Sequence, residues 1–222
     1  MKSKYEKFVE LLTSYCRRKG FPIQIEKSLQ DSSEDVEHSV RFFSSKYHDL
    51  NSISMDEIAH NVVRKIHFAD TTKEDESPAS VDSFLIDSNG VWYFIEFKNQ
   101  EIKKTKDDCV KKSYANVYWL LGILEELKKD GEFSFDAFSS CSAEIPPFEF
   151  VKKNCRFILV VPDGENDLEL NKIRDARKAK MRWPDLDWAK YMKKLESYIF
   201  NSAEVYNAKQ FDNTFVRHFS YS

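Results

Sequence analysis

Residues 81–98 constrain the fold of this chain more than any other stretch. Two apolar runs, 81–86 and 91–98, flank Asp87-Ser88-Asn89-Gly90. Asp, Ser and Asn suit a type I turn, and Gly90 suits the left-handed position that closes a three-residue hairpin loop. Pairing Asp87 with Val91 across that loop sets Asp82 opposite Glu96. Side chains alternate along a strand, so Asp82, Glu96 and Lys98 then share one face of the ribbon.

The neighbours make those charges unusual. Trp92 and Phe94 precede Glu96 on its own face, while Tyr93, Ile95 and Phe97 fill the other. A strand apolar on both faces is normally buried on both, and ionised groups there are seldom left unpaired. Two carboxylates and an ammonium therefore need partners: each other, or a metal ion. The plainer alternative is a solvated strand end from which Glu96 and Lys98 simply point outward.

Asp82 followed by Glu96-Phe97-Lys98 resembles the PD-(D/E)xK pattern of the restriction-endonuclease-like nucleases. Val81-Asp82 stands where that family has Pro-Asp, and Glu96-Phe97-Lys98 matches the second half in full. The resemblance is specific over about residues 78–128. It implies an αβββαβ core in which Asp82, Glu96 and the backbone carbonyl of Phe97 hold Mg²⁺ (or Mn²⁺), while Lys98 positions and helps activate the attacking water. The chemistry agrees with that assignment, because Mg²⁺ takes hard oxygen ligands and keeps several waters. It acidifies a bound water and offsets charge developing on phosphate, and a nearby lysine adds to both effects.

A chain of 222 residues with 41% hydrophobic content supports one sizeable core. We read one domain over 1–222: an N-terminal helical part (1–53), a core (54–163) and a C-terminal helical extension (164–222). The net charge of −3 counts mildly against a protein that coats nucleic acid, although local basic patches matter more than the sum. No apolar run is long enough to span a membrane, and the N-terminus does not read as a signal peptide. Cys16, Cys109, Cys141 and Cys155 are widely spaced and read as reduced core thiols, so a cytoplasmic location is expected. The five histidines, His38, His48, His60, His67 and His218, form no metal-spaced pair, and no glycine-rich phosphate loop or serine-nucleophile motif is present.

Taken in order, 4–18 is a helix with Tyr5, Phe8, Leu12 and Tyr15 on its apolar stripe, closed by Gly20. Asp31-x-x-Glu34 predicts a second helix burying Val36, Val40, Phe43 and Tyr47. Ser54-x-x-Glu57 opens a third, carrying Ile58, Ala59, Val62 and Val63. Glu57 either caps that helix or reaches the metal, as an acidic residue does in the resembled family. Residues 64–69 are either the first of three antiparallel strands or the end of that helix, and 70–80 read as a surface loop. A long helix is expected over about 105–129, with Val110, Tyr114, Val117, Leu121, Leu124 and Leu127 inward. In the resembled family polar groups of this helix approach the site, which makes Lys112 and Asn116 candidates; an ordinary solvated face is the alternative.

Phe133, Phe135 and Phe138 fit either a short strand or a packed loop. Residues 155–163 form the clearest buried strand, which a crossover through the long helix sets parallel to the Glu96 strand. Residues 171–182 hold the dense basic segment. Arg174, Arg177, Lys178 and Arg182 there are candidate phosphate contacts with Trp183 as a stacking ring, or else a solvated face. Pro184 can open a further helix with Leu186, Trp188, Tyr191, Met192 and Leu195 inward, residues 204–206 a last strand, and Phe211, Phe215 and Phe219 a closing helix.

The reading is an α/β domain with a mixed sheet, acting as a Mg²⁺-dependent nuclease on DNA or RNA, with DNA favoured. A catalytically inactive nucleic-acid- or protein-binding module of the same fold is the alternative.

Overall fold

The computed structural model describes residues 2–35, 40–47, 49–67, 77–139 and 145–221. Within them a six-stranded mixed sheet carries helices on both faces. Its strands are β1 (Glu26–Ser28), β4 (Asn51–Ser54), β5 (Ser83–Ile86), β6 (Trp92–Phe97), β7 (Cys155–Val161) and β8 (Ser202–Asn207), in that spatial order. Each neighbouring pair among the first four is antiparallel, and β6, β7 and β8 run parallel. A small separate ribbon pairs β2 (Glu34–Asp35) with β3 (Val40–Arg41).

The hairpin follows the expected register. Asp87 N–H donates to Val91 O at 3.0 Å and Gly90 N–H to Asp87 O at 2.9 Å. Gly90 takes φ +80°, the left-handed conformation that costs glycine least. Asp87 Oδ1 accepts from the N–H groups of Asn89 and Val91, which locks the loop. The ladder pairs Ser83 with Ile95, so one step further Asp82 faces Glu96.

Each face of β6 is covered by different elements. Trp92 and Phe94 meet Phe8 of α1 (Lys4–Arg18), Phe84 and Phe200, at centroid separations of 5.0–5.5 Å. On the other face Tyr93 and Phe97 meet Phe215 and Phe211, at 5.0 and 5.9 Å. Phe211 belongs to α9 (Ala208–Thr214). The 24-residue α5 (Lys106–Lys129) crosses from β6 to β7 and seals the Glu96 face with Cys109, Ser113, Asn116 and Val117, all buried. Tyr114, expected inward, is 50% exposed.

Several expectations are corrected. No helix opens at Asp31: Ser28 Oγ caps the one-turn α2 (Leu29–Ser32), and Glu34–Asp35 then turns into the β2–β3 ribbon. Phe43 is buried not on a helix but by packing on Phe97 and Phe211, and Tyr47 is 39% exposed. Val36 and the side chain of Val40 lie outside the described residues. Ser54 does cap α3 (Met55–Ile58), which continues through a π-helical turn (Ala59–Val63) into α4 (Arg64–His67).

Residues 64–67 are therefore helix, and the strand beside β5 is β4, which precedes that helix; Phe68, Ala69 and 70–76 lie outside the described residues. The N-terminal part and the C-terminal extension are not purely helical, because β1, most of β4 and β8 join the central sheet. Phe133 and Phe138 stack in a packed loop, followed by an unforeseen helix, α6 (Pro147–Asn154). The segment after Pro184 becomes helical only at α8 (Ala189–Tyr198). Cys16, Cys109 and Cys155 are buried free thiols, and Cys141 lies outside the described residues. Among the described residues no helix is long and apolar enough to cross a membrane.

Candidate active site

Asp82 precedes β5, where its neighbours are tied to α5. Val81 N–H donates to Asn116 Oδ1 at 2.9 Å, and Trp119 Nε1 donates to Ala79 O at 3.2 Å. Asp82 Oδ2 accepts the Phe97 N–H at 2.6 Å, so the first carboxylate is pinned to the end of the strand that carries the second. Lys98 N–H in turn donates to Val160 O at 2.9 Å, which extends the β6–β7 ladder past Phe97.

One ammonium closes the pair. Lys112 Nζ lies 3.2 Å from Asp82 Oδ1 and 2.8 Å from Glu96 Oε1. Lys98 Nζ lies 3.2 Å from Glu96 Oε1 and 3.0 Å from Asp108 Oδ2. Glu96 is fully buried, and among the described residues neither of its oxygens accepts an aligned hydrogen bond: Oε1 is held by the two ammonium charges, and Oε2 has no donor. An unsatisfied buried carboxylate oxygen is costly, and a cation is the usual remedy.

The electrostatics follow from burial. Desolvation, and then the Asp82 charge, push the Glu96 carboxyl up to about 8. Desolvation also raises Asp82, against the pull of Lys112, and Asp56 adds to the rise. Burial by itself depresses the Lys112 ammonium, but Asp82 and Glu96 outweigh it and hold it well above the ordinary lysine value. The same balance, through Glu96 and Asp108, raises Lys98.

Asp82, Phe97, Lys98 and Lys112 line a cleft of about 420 Å³, with Glu34, Asp35 and Asp108 on its wall. Glu96 lies behind this lining. The acidic wall disfavours a bare polyanion and favours an added cation. Among the described residues no cluster of three or more His, Cys, Asp or Glu side chains is arranged to hold a metal. The donor set is instead the two carboxylates of Asp82 and Glu96, with the Phe97 N–H fixing the first of them. The two carboxylates, already converging on the Lys112 ammonium, and the Glu96 Oε2 left without a donor among the described residues fit a magnesium or manganese ion, which takes hard oxygen ligands.

The other candidates divide. Lys112 and Asn116 both belong to the site, one through its ammonium and one by holding Val81. Glu57 does not reach it: Ser54 Oγ accepts the Glu57 N–H, and its carboxylate pairs with Lys27 at 2.8 Å and Asn61 at 2.8 Å. Its neighbour Asp56 approaches instead, hydrogen-bonded to Ser80 and close enough to raise Asp82. Asp56 and Asp108 went unnoticed in the sequence; one helical turn separates Asp108 from Lys112, the only signal that points to it.

The basic segment stands apart from the cleft. Arg174, Arg177 and Lys178 lie on α7 (Asp167–Lys178), and Arg174 is exposed. Arg177 pairs with Glu204 at 2.6 Å and Lys178 with Asp175 at 3.1 Å, while Arg182 bridges Glu196 and Glu204. Trp183 is buried with its Nε1 on Glu196, so it offers no free stacking face.

No protein-family model matches the chain, and searches for similar curated proteins and solved structures find none. The site's own geometry carries the functional reading.

Proposed function

We propose that the chain is a divalent-metal-dependent phosphodiesterase of the restriction-endonuclease-like PD-(D/E)xK type, cleaving DNA or RNA. The observation that carries this reading is the convergence of Asp82, just before β5, and Glu96, on the antiparallel β6, onto one ammonium position beside Lys98. Asp82, Glu96 and the Phe97 carbonyl would hold Mg²⁺ or Mn²⁺. When bound, such an ion supplies Lewis acidity toward a phosphate oxygen and an acidified water. Lys98, at the cleft edge, orients the water and offsets charge on the phosphate, and Asp108 holds its ammonium in place. The Phe97 N–H and Asn116 position Asp82.

The purified chain with Mg²⁺ or Mn²⁺ should nick or degrade DNA, and Asp82→Ala and Lys98→Ala should not. Equal rates for wild type and Lys98→Ala would remove the catalytic assignment.

One observation favours a second reading, a binding module without catalysis. Lys112 and Lys98 already neutralise the two carboxylates, and the cleft wall is acidic. Calorimetric titration separates the two readings, because an inactive site shows no carboxylate-dependent Mn²⁺ binding.

A further inference from the structure

We propose that Lys112 is the resident cation of the carboxylate pair, and that a divalent ion enters only by displacing its ammonium, so that Lys112 sets the strength of metal binding. This rests on the metal-site reading above. Lys112 Nζ touches both carboxylates, at 3.2 and 2.8 Å, and so occupies the position between them that a shared ion would take. Glu96 has no exposed surface and is absent from the cleft lining, whereas Lys112 and Lys98 form part of it. An ion arriving through the cleft therefore meets an ammonium before it meets Glu96.

Charge points the same way. A divalent ion added beside the Lys112 ammonium sets like charges against each other in a buried place, and withdrawal of the ammonium relieves that repulsion. Lys98 has Asp108 as a second ion-pair partner at the rim, while among the described residues the ion pairs of Lys112 are with Asp82 and Glu96, and the Asp56 charge acts on it from further off. The helix itself is fixed, because Asn116, one turn further on, holds Val81 N–H. Movement falls to the Lys112 side chain, which is 24% exposed. Asp108, one turn before it on the same helix, has a 58% exposed side chain able to receive the ammonium.

The test is calorimetric titration of MnCl₂ into the full chain as wild type, Lys112→Met and Lys112→Arg. Lys112→Met should bind about tenfold tighter or more, the range of ordinary coupling between competing ligands, and Lys112→Arg no tighter than wild type. Should Lys112→Met be too unstable for titration, thermal unfolding serves: Mn²⁺ should raise its Tm by more than that of wild type. Equal or weaker binding by Lys112→Met overturns this inference and leaves the metal site standing. A Lys112→Met chain that stays unfolded in saturating Mn²⁺ also overturns it. Absence of Mn²⁺ binding in every variant, wild type included, overturns both readings.

Discussion

The Phe97 N–H donates to Asp82 Oδ2 at 2.6 Å, so the backbone of one strand fixes the carboxylate presented by its neighbour. Asp82 therefore has two separable duties, an acceptor for a peptide N–H and a negative charge beside Glu96. Asp82→Asn keeps an acceptor oxygen and loses the charge. It should fold with a Tm near that of wild type and lose metal-dependent cleavage by about 100-fold or more, at least what losing an outer partner of a metal site costs. Circular dichroism melts and a plasmid-nicking assay check the two halves. A variant that cleaves normally contradicts the ligand role.

Stability of the metal-free protein should fall as pH rises. The Glu96 carboxyl goes from its ordinary 4.5 to about 8 on folding, so the fold favours the protonated form. That contribution is complete below about pH 4.5 and is lost as pH climbs through about 8. Asp82, also raised, acts in the same direction, while the raised Lys112 loses its contribution only above the ordinary lysine range. Thermal melts across that window in the presence of chelator should show a declining Tm for wild type and a flatter profile for Glu96→Gln. Parallel profiles would contradict the burial argument.

The hairpin tip is similarly exposed to test. A Cβ on Gly90 would meet the Ser139 carbonyl carbon at 2.7 Å, and the residue sits at φ +80°. Its carbonyl also accepts Asn154 Nδ2 at 2.7 Å, so the turn has little room to shift. Gly90→Ala should destabilise by about 2 kcal/mol or more, from left-handed strain plus overpacking. Urea unfolding measures it.

Much of the site was legible in the sequence. Turn chemistry at Asp87–Gly90 set the register, and strict alternation then placed Asp82, Glu96 and Lys98 together. The long helix and the buried parallel strand were equally plain, because both have strong periodic or continuous apolar patterns. Failures came where tertiary contacts overrode local signals. Ser28 outcompeted Asp31 as a helix cap, since Glu26–Ser28 pairs with Asn51–Ile53 and delivers the chain to that point. Choosing between Asp56 and Glu57 depended on which side of a capped turn faces Ser80, which spacing alone does not reveal. The bridging position of Lys112 depended on the distance between helix and sheet, and that is set by packing around Cys109, Ser113 and Asn116.

The basic segment gives a prediction opposite to its sequence appearance. Arg177 and Arg182 are engaged by Glu204 and Glu196 at the sheet edge, so their removal should loosen the β8 edge and not nucleic-acid binding. The double variant Arg177→Ala/Arg182→Ala should lose about 1 kcal/mol of stability while DNA affinity by fluorescence anisotropy stays within about twofold of wild type. A loss of about tenfold or more in affinity would restore these arginines as phosphate contacts.

The most direct measurement is a crystal of the full chain soaked in Mn²⁺ and examined by anomalous scattering. One peak is expected, coordinated by Asp82, Glu96 and the Phe97 carbonyl, with the Lys112 ammonium withdrawn from between the carboxylates. Saturating Mn²⁺ that leaves no peak there, with Lys112 still bridging Asp82 and Glu96, would contradict that expectation.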